Sequence, residues 1–384
     1  ILAGLLLAPI VIFALIGGFL KIAFTLLWPS FAGFWANLSA LPIAAMRHTV
    51  GWLAKFPAAD IPLPAPPVWA ILLFYAFLLS LLVPWPRRWM RWSARAVAIL
   101  GCITLAILPL REGFLAARSD ANDLKITLLA IGAGQTCVVE PPGAQALLVD
   151  AGSDSLSDVL RKALGPFLRH EGRREVRTIF ISHPNYDHFS AVADVAQAYD
   201  VSDVWVSPQF RQQSIGNLPA EHLLQTLDNL DRSPHTVSVG QNFDLGGGAK
   251  MEVLWPPADS AFDANNCGEV MRLTFAGRTV LFTADIQVPA EKQLLKSPQL
   301  LHADVMVAPH HGSFESSTVA FVNAVSPQFI VCSNDRTLSG KQRDFDRATR
   351  GRAVYRTHLC GAITIRISKD GKISIERFLN TPDL

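Results

Sequence analysis

Ser182-His183-Pro184-Asn185-Tyr186-Asp187-His188 follows directly on the apolar run Val176–Ile181. Such a run, short and bounded by polar residues, reads as a buried strand. A strand that ends in two histidines, an aspartate and an asparagine gathers metal-ligating side chains at a sheet edge. His183 and Asn185 can face one way while Asp187 and His188 serve a second ion. Paired ions about 3.5–4 Å apart act together on one substrate atom. The bland alternative is a chance cluster of polar loop residues, and the rest of the chain decides between the two.

Two further strand ends repeat the theme. The run 279–283 ends in Ala284-Asp285, and the run 304–308 ends in Pro309-His310-His311-Gly312-Ser313. Alone, Asp285 reads as a turn or helix cap, and the histidine pair as a solvated loop. Together, three strands end in His/Asp clusters. Around them lie strand-like runs at 125–131, 137–140, 146–150, 204–207, 251–255, 270–275, 329–332, 353–356 and 363–367. Helical patterns fall at 156–168, 191–199, 221–230, 289–295, 317–324 and 341–349. Strands come first in pairs and then alternate with helices. Two sheets packed together with helices outside would bury such a set.

The first third is different. Residues 1–20 carry no charge and span about 30 Å as a helix, the thickness of a bilayer core. Pro9 and Gly17-Gly18 offer kinks. Residues 22–46 are also uncharged, but Pro29, Asn37 and Pro42 interrupt them. Part of this run is expected to span and part to lie at the interface. Ile43, Met46, Val50, Leu53 and Ala54 recur at helical spacing, and Trp52 and Phe56 suit an interfacial helix. Five prolines between Pro57 and Pro67 make an extended connector. Residues 68–85, flanked by Trp69 and Trp85, form the next candidate span, and 96–110 a short last one. Arg87, Arg88, Arg91 and Arg95 between them favour the cytoplasmic side. The expected organisation is a transmembrane region over 1–119 and an extracytoplasmic α/β domain over 120–384, in a multi-pass protein of the cytoplasmic membrane. Buried helices of a soluble protein are the alternative for the apolar runs. The chain opens at Ile1 within an apolar run, without Met or a charged leader, as a fragment would.

Half of the 384 residues are hydrophobic and the formal charge is only +2, so overall charge gives no case for a nucleic-acid partner. Two local basic runs do: Arg169, Arg173, Arg174 and Arg177, and Arg336 through Arg356 with Lys341, Arg343, Arg347, Arg350 and Arg352. Each can hold a phosphate backbone or be a solvated face. Gly246-Gly247-Gly248 reads as a turn. Gly132-Ala133-Gly134 reads as a tight strand connection or, less simply, as backbone N–H groups offered to a phosphate. Five cysteines show no paired spacing and read as small buried hydrophobes, with one disulfide as the alternative. His222 and His235 read as surface residues.

The order of the clusters resembles the metallo-β-lactamase superfamily, an αββα sandwich with one or two metals at one edge. The resemblance covers residues 124–378 and extends to the ComEC type of competence DNA-uptake channel. It is carried by Ala264-Asn265-Asn266-Cys267-Gly268-Glu269-Val270-Met271-Arg272-Leu273, Thr283-Ala284-Asp285, Pro309-His310-His311-Gly312-Ser313, residues 329–334, Val354-Tyr355-Arg356-Thr357 and Gly361-Ala362-Ile363. The resemblance implies a fold of class α/β, a metallo-β-lactamase αββα sandwich preceded by transmembrane helices. It implies metal ligation by His183, Asn185, Asp187, His188, Asp285 and His310, with Asp285 bridging. Asp187, Asp285 and His311 are the implied catalytic residues, and His311, Asn266 and Ser313 stand behind the ligands or contact substrate. It further implies a nuclease acting on single- or double-stranded DNA while a strand is imported, with membrane lipid and other competence-apparatus proteins as partners.

Two departures bear on the metal and on activity. Asn185 stands where the superfamily has His and the competence family often has Asp; an amide oxygen moves the expectation from zinc towards manganese or magnesium. The family's opening Asp-Val-Gly-Gln-Gly-Asp-Ala is here Ala130-Ile131-Gly132-Ala133-Gly134-Gln135-Thr136, without either acid. The rival readings are a catalytically inactive module that guides DNA, a membrane-tethered hydrolase of small esters or thioesters, and a purely structural membrane protein.

Overall fold

The computed structural model describes residues 2–53, 92–93, 96, 122–173, 175–199, 201–313, 315–335 and 342–379. The expected boundary at 119/120, the proline connector, the run 68–85, the four arginines and residues 97–110 lie outside the described residues. The chain forms two compact units, residues 1–62 and 63–384.

In the first unit, helix α1 (Leu2–Leu27) runs through Pro9 and past Lys21, seven residues beyond the expected end at Leu20. It stops where Trp28 leaves helical geometry, and Pro29 opens a single 3-10 turn, Pro29–Phe31. A proline is tolerated there because the first N–H of a turn has no acceptor anyway. Helix α2 (Ala32–Leu53) then continues through Pro42, where an interruption was expected. Phe24 stacks on Trp35 at 4.6 Å between the two helices. Among the described residues one helical stretch, Pro9–Leu27, is long and apolar enough to cross a membrane.

The second unit is a sandwich. Strands β1 (Leu124–Leu128), β2 (Thr136–Glu140), β3 (Ala146–Ala151), β4 (Val176–Ile181), β5 (Asp203–Val206) and β6 (His235–Thr236) lie in one sheet. Strands β7 (Asn242–Gly246), β8 (Ala249–Trp255), β9 (Val270–Phe275), β10 (Arg278–Phe282), β11 (Val305–Val307), β12 (Phe329–Cys332) and β13 (Ala353–Arg356) form the other. The last hairpin, β14 (Ile363–Ile367) and β15 (Ile373–Arg377), returns to the first sheet, where β14 pairs antiparallel with β1. The orders are 15-14-1-2-3-4-5-6 and 13-12-11-10-9-8-7.

The period-two alternation of a strand assigns each layer. Leu124, Ile126, Leu128, Val139, Val149, Phe180, Met251, Met271, Val280 and Val305 point between the sheets and make one core. Val138, Leu148, Ile179 and Val204 point outward under Leu168, Val195 and Leu227 of the helices Gly165–His170, Val192–Ala198 and Leu218–Asn229. Leu281, Met306 and Ile330 face Leu294, Phe321 and Phe345 of Val288–Leu294, Val319–Val325 and Gln342–Ala348. The result is the expected αββα order. Each fully buried large side chain contributes about 1.5–3 kcal/mol.

Strand β3 runs parallel to β4, and β10 parallel to β11. Within each sheet, therefore, the carboxyl ends of consecutive strands emerge side by side. Those ends carry Asp150, His183, Asp285 and His310-His311.

Candidate metal centre

Asp150, fully buried at the end of β3, is the keystone of the first-sheet half. Its Oδ1 accepts from the Ser182 backbone N–H at 2.7 Å. Its Oδ2 accepts from Ser182 Oγ at 2.9 Å and Gln135 Nε2 at 3.0 Å, and meets His188 Nδ1 at 2.8 Å. That last contact turns His188 Nε2 away from Asp150 and towards Asp285 Oδ1, 3.2 Å off. The carboxylate–imidazole pairing is the arrangement that fixes tautomer and ring angle in metal-ligating histidines.

Asp187 and His188 sit on a single helical turn, Tyr186–Phe189, pressed against the end of β3. The approach requires glycine at 152: a Cβ there would lie 2.5 Å from Phe189 N. Gln135 N–H donates to Asp187 O at 3.0 Å and Ala191 N–H to Ala151 O at 2.9 Å, which clamps the turn. In the second sheet, Ala284, His310, His311 and Gly312 all adopt positive φ. Three consecutive residues in this region, two of them non-glycine, fold the His310-His311 segment back over the end of β11.

The outcome is that Asp187, His188, Asp285 and His311 place one ligand atom each within 4.8 Å of one another. His311 Nε2 lies 3.3 Å from Asp187 Oδ2 and 3.4 Å from Asp285 Oδ2. His183 packs its ring 4.3 Å from that of His188, and its buried Nε2 has no hydrogen-bond partner among the described residues. His310 stands at the open side, with Nε2 3.9 Å from Asp285 Oδ2. Its Nδ1 faces Ser313 Oγ at 3.0 Å and Gln287 Nε2 at 3.3 Å. Asn185 is half-buried, and its amide donates to Asn265 Oδ1 at 2.7 Å. Asn266 acts as a brace: its Oδ1 accepts from the N–H groups of Gln287 and Ala290 at the start of the helix Val288–Leu294. Thus the second histidine of the pair joins the group of four, where the sequence put the first.

Electrostatics follow the same geometry. Burial, then the neighbouring His188, lowers His183 to about 4, so it is neutral and free to ligate. Burial opposes charge on His188 and on His311. The carboxylates of Asp285 and Asp150 outweigh it for His188, and those of Asp285 and Asp187 raise His311 to about 9. Burial likewise opposes ionisation of Asp285, yet His311 and His188 hold its carboxyl well below the usual range. Two imidazoliums and two carboxylates forced together, beside a buried His183 Nε2 with no hydrogen-bond partner among the described residues, fit a divalent cation. The donors are nitrogen and oxygen with no thiolate, which suits zinc or manganese.

Residues 132–134 make the tight connection. Ala133 N–H is held by Ser155 Oγ at 2.7 Å and Gln135 N–H by Asp187 O, so neither is offered to a phosphate. Arg173 pairs with Glu140 at 2.7 Å and Arg356 with Asp346 at 3.6 Å, which leaves a smaller basic surface than the sequence suggests. Cys137, Cys267, Cys332 and Cys360 are free and buried; Cys102 lies outside the described residues. Sequence reading passed over Asp150, Ser182, Gln135 and Glu269. The Glu269 carboxyl is buried with no hydrogen-bond partner among the described residues, and burial followed by Asp150 raises it well above the usual range.

Residues 131–328 match the family described as the metallo-beta-lactamase superfamily, and residues 1–88 match the family described as competence protein. Competence protein ComA of Neisseria gonorrhoeae is 27% identical over 332 residues, 83% of this chain and 42% of that one. ComE operon protein 3 of Bacillus subtilis (strain 168) is 22% identical over 283 residues, 69% of this chain and 36% of that one. The chain thus spans less than half the length of these relatives. Among solved structures, CmlA, a diiron beta-hydroxylase from Streptomyces venezuelae, covers 63% of this chain and 54% of its own at 16% identity and TM-score 0.42. Zn(2+)-bound PqqB from Methylobacterium extorquens covers 62% of this chain and 99% of its own at 11% identity and TM-score 0.41. A competence-protein region precedes the sandwich, and the chain belongs to the metallo-β-lactamase superfamily.

Proposed function

We propose that the sandwich is a metal-dependent phosphodiesterase that cleaves DNA, in a membrane protein of DNA uptake whose hydrolase domain lies outside the cytoplasmic membrane. The observation that carries this reading is the convergence of Asp187, His188, Asp285 and His311 at the strand ends. The competence-protein match over residues 1–88 and the apolar stretch Pro9–Leu27 support the membrane setting.

In this reading Asp187, His188, Asp285 and His311 hold one divalent ion. His183 on the buried side extends the donor set towards a second. A bound divalent ion supplies polarisation of a phosphoryl oxygen and an acidified water. The chain's own residues do the rest. Asp150 holds the proton of His188 on Nδ1 and so keeps Nε2 as the donor atom. Ser182 Oγ fixes the ring of His183 through Nδ1 at 2.9 Å. Ser313 and Gln287 orient His310, the one imidazole of the group on the open side, to carry a proton to the leaving oxygen. Substrate, DNA phosphate included, would approach from that side.

One observation favours a second reading, an inactive module that guides DNA: the Asn185 amide is engaged with Asn265 and stands outside the group of four. The test is cleavage of single- and double-stranded DNA by the full chain in detergent with added manganese or zinc. Cleavage that disappears in Asp187→Ala, Asp285→Ala supports the nuclease. Equal cleavage by the variant overturns it, and a folded, inert wild type selects the guiding module.

A further inference from the structure

A cavity of about 420 Å³ opens between the two sheets, away from the candidate metal centre. It lies at the amino ends of β3, β4 and β5, which pair in parallel through Leu147, Thr178 and Asp203. Thr178 and His183 are separated by about 16 Å of extended chain. The cavity therefore shares no residue with the metal cluster.

Its wall is aromatic. Phe243 meets Phe180 edge-on at 5.0 Å and Trp205 edge-on at 4.9 Å. Trp205 and Phe243 are only half-buried, so ring surface faces the opening. One end is sealed by the Gly246-Gly247-Gly248 turn, all at positive φ. A Cβ on Gly246 would sit 2.8 Å from Ala144 Cβ, and one on Gly247 2.3 Å from Pro142 O, so the turn closes on the neighbouring hairpin only because it is glycine. The mouth carries an exposed guanidinium, Arg177, and a half-buried carboxylate, Asp203. Neither side chain has a hydrogen-bond or ion partner among the described residues.

This combination selects a ligand class. An aromatic wall accepts the face of a planar ring. An unpaired carboxylate beside it accepts from a ring amine, and an unpaired guanidinium takes a phosphate. The volume lies in the range of small-ligand sites. We propose that the cavity binds a single nucleotide bearing an amino group on its base, with the base on Trp205 and Phe243, the amine on Asp203 and the phosphate on Arg177. The choice of ligand rests on the DNA reading above; the binding does not require hydrolysis. The nucleotide is either free or part of a strand that passes across the domain.

The test uses the full chain in detergent, stripped of metal with chelator so that nothing is cleaved. Binding of 5′-dAMP, 5′-dTMP, deoxyadenosine and a labelled single-stranded decamer is measured for wild type, Arg177→Glu and Asp203→Asn. Both substitutions lie at the solvent-facing mouth, and equal thermal melting verifies the fold. We expect Arg177→Glu to weaken dAMP at least tenfold while deoxyadenosine is unchanged, and Asp203→Asn to abolish the preference for dAMP over dTMP. If dAMP binds and the decamer does not, the source is the free nucleotide. If only the decamer binds, and Arg177→Glu weakens it tenfold, the source is a strand. Failure of wild type to bind either ligand, or equal binding by wild type and both variants, overturns the proposal. Because no metal is present, that failure is separate from any failure of DNA cleavage.

Discussion

Replacing Asp150 by Asn keeps the size of the side chain and removes one acceptor. Asp150 lies at φ 61, a backbone region that asparagine adopts readily, so the change adds no strain. Four donors converge on its two oxygens: Ser182 N, Ser182 Oγ, Gln135 Nε2 and His188 Nδ1. The Ser182 hydroxyl can rotate and the Gln135 amide can flip to meet a new N–H. The imidazole of His188 has one way to adapt, which is to move its proton to Nε2, the atom that faces Asp285 at 3.2 Å. Keeping the proton on Nδ1 forfeits a charge-assisted hydrogen bond of about 1.5–3 kcal/mol. Either way the ion loses. Loss of such a supporting carboxylate costs about 10–100-fold in metal affinity, which is about 1.4–2.7 kcal/mol. The assay is competition between the full chain in detergent and a chelator for zinc and for manganese. A variant that melts like wild type and binds metal equally well would refute the argument that Asp150 sets the tautomer of His188.

Gly152→Ala should lower thermal stability by an overpacking cost of about 1–3 kcal/mol and weaken metal binding as well, because the new Cβ meets the backbone of Asp187, His188 and Phe189; wild-type melting in the variant would contradict the close approach. Glu269 keeps its proton in the folded chain at pH values where the unfolded chain has lost it, so its contribution to stability is full below the unfolded pKa and declines as pH rises. Glu269→Gln removes that decline, and the metal-free variant should gain on wild type by about 1.4 kcal/mol per pH unit as pH is raised from 5; parallel melting curves at all pH values would contradict it. His311, raised to about 9, is an imidazolium at neutral pH in the metal-free chain. A metal must displace that proton, so affinity should climb with pH towards about 9. Calorimetry in buffers of different ionisation enthalpy should detect the protons released by His188 and His311, and one fewer in His311→Ala.

Much of the sandwich is readable because its strands are apolar on a period of two or throughout. Val270–Phe275, Phe329–Cys332, Ala353–Arg356 and Ile363–Ile367 fall where the pattern puts them. Strand β7 does not announce itself, since Asn242, Asp244 and Gly246 leave only Phe243 and Leu245 as apolar residues on an edge. The two residues of β6 are too few to show any period. The expected helix over 156–168 begins later, as a wide turn at Leu160–Leu164, because Ser153 and Asp158 engage the backbone before it. In the site, the strand-end motifs identify which residues approach one another. They do not say which of His310 and His311 turns inward. That depends on two left-handed residues in succession, a conformation set by the packing of Gly312 against Cys332 and Phe345. Asp150 is hidden for a similar reason: it ends a strand like any turn aspartate, and its partners lie 15, 32 and 38 residues away.

Everything proposed for catalysis depends on Asp187, His188, Asp285 and His311 forming a metal centre. Elemental analysis of the full chain, purified in detergent with zinc or manganese and then dialysed, tests it most directly. The wild-type chain should retain one or two ions, and an Asp187→Ala, Asp285→Ala variant with the wild-type circular dichroism spectrum should retain none. A folded wild type that retains no ion, or a double variant that retains as many, would contradict it.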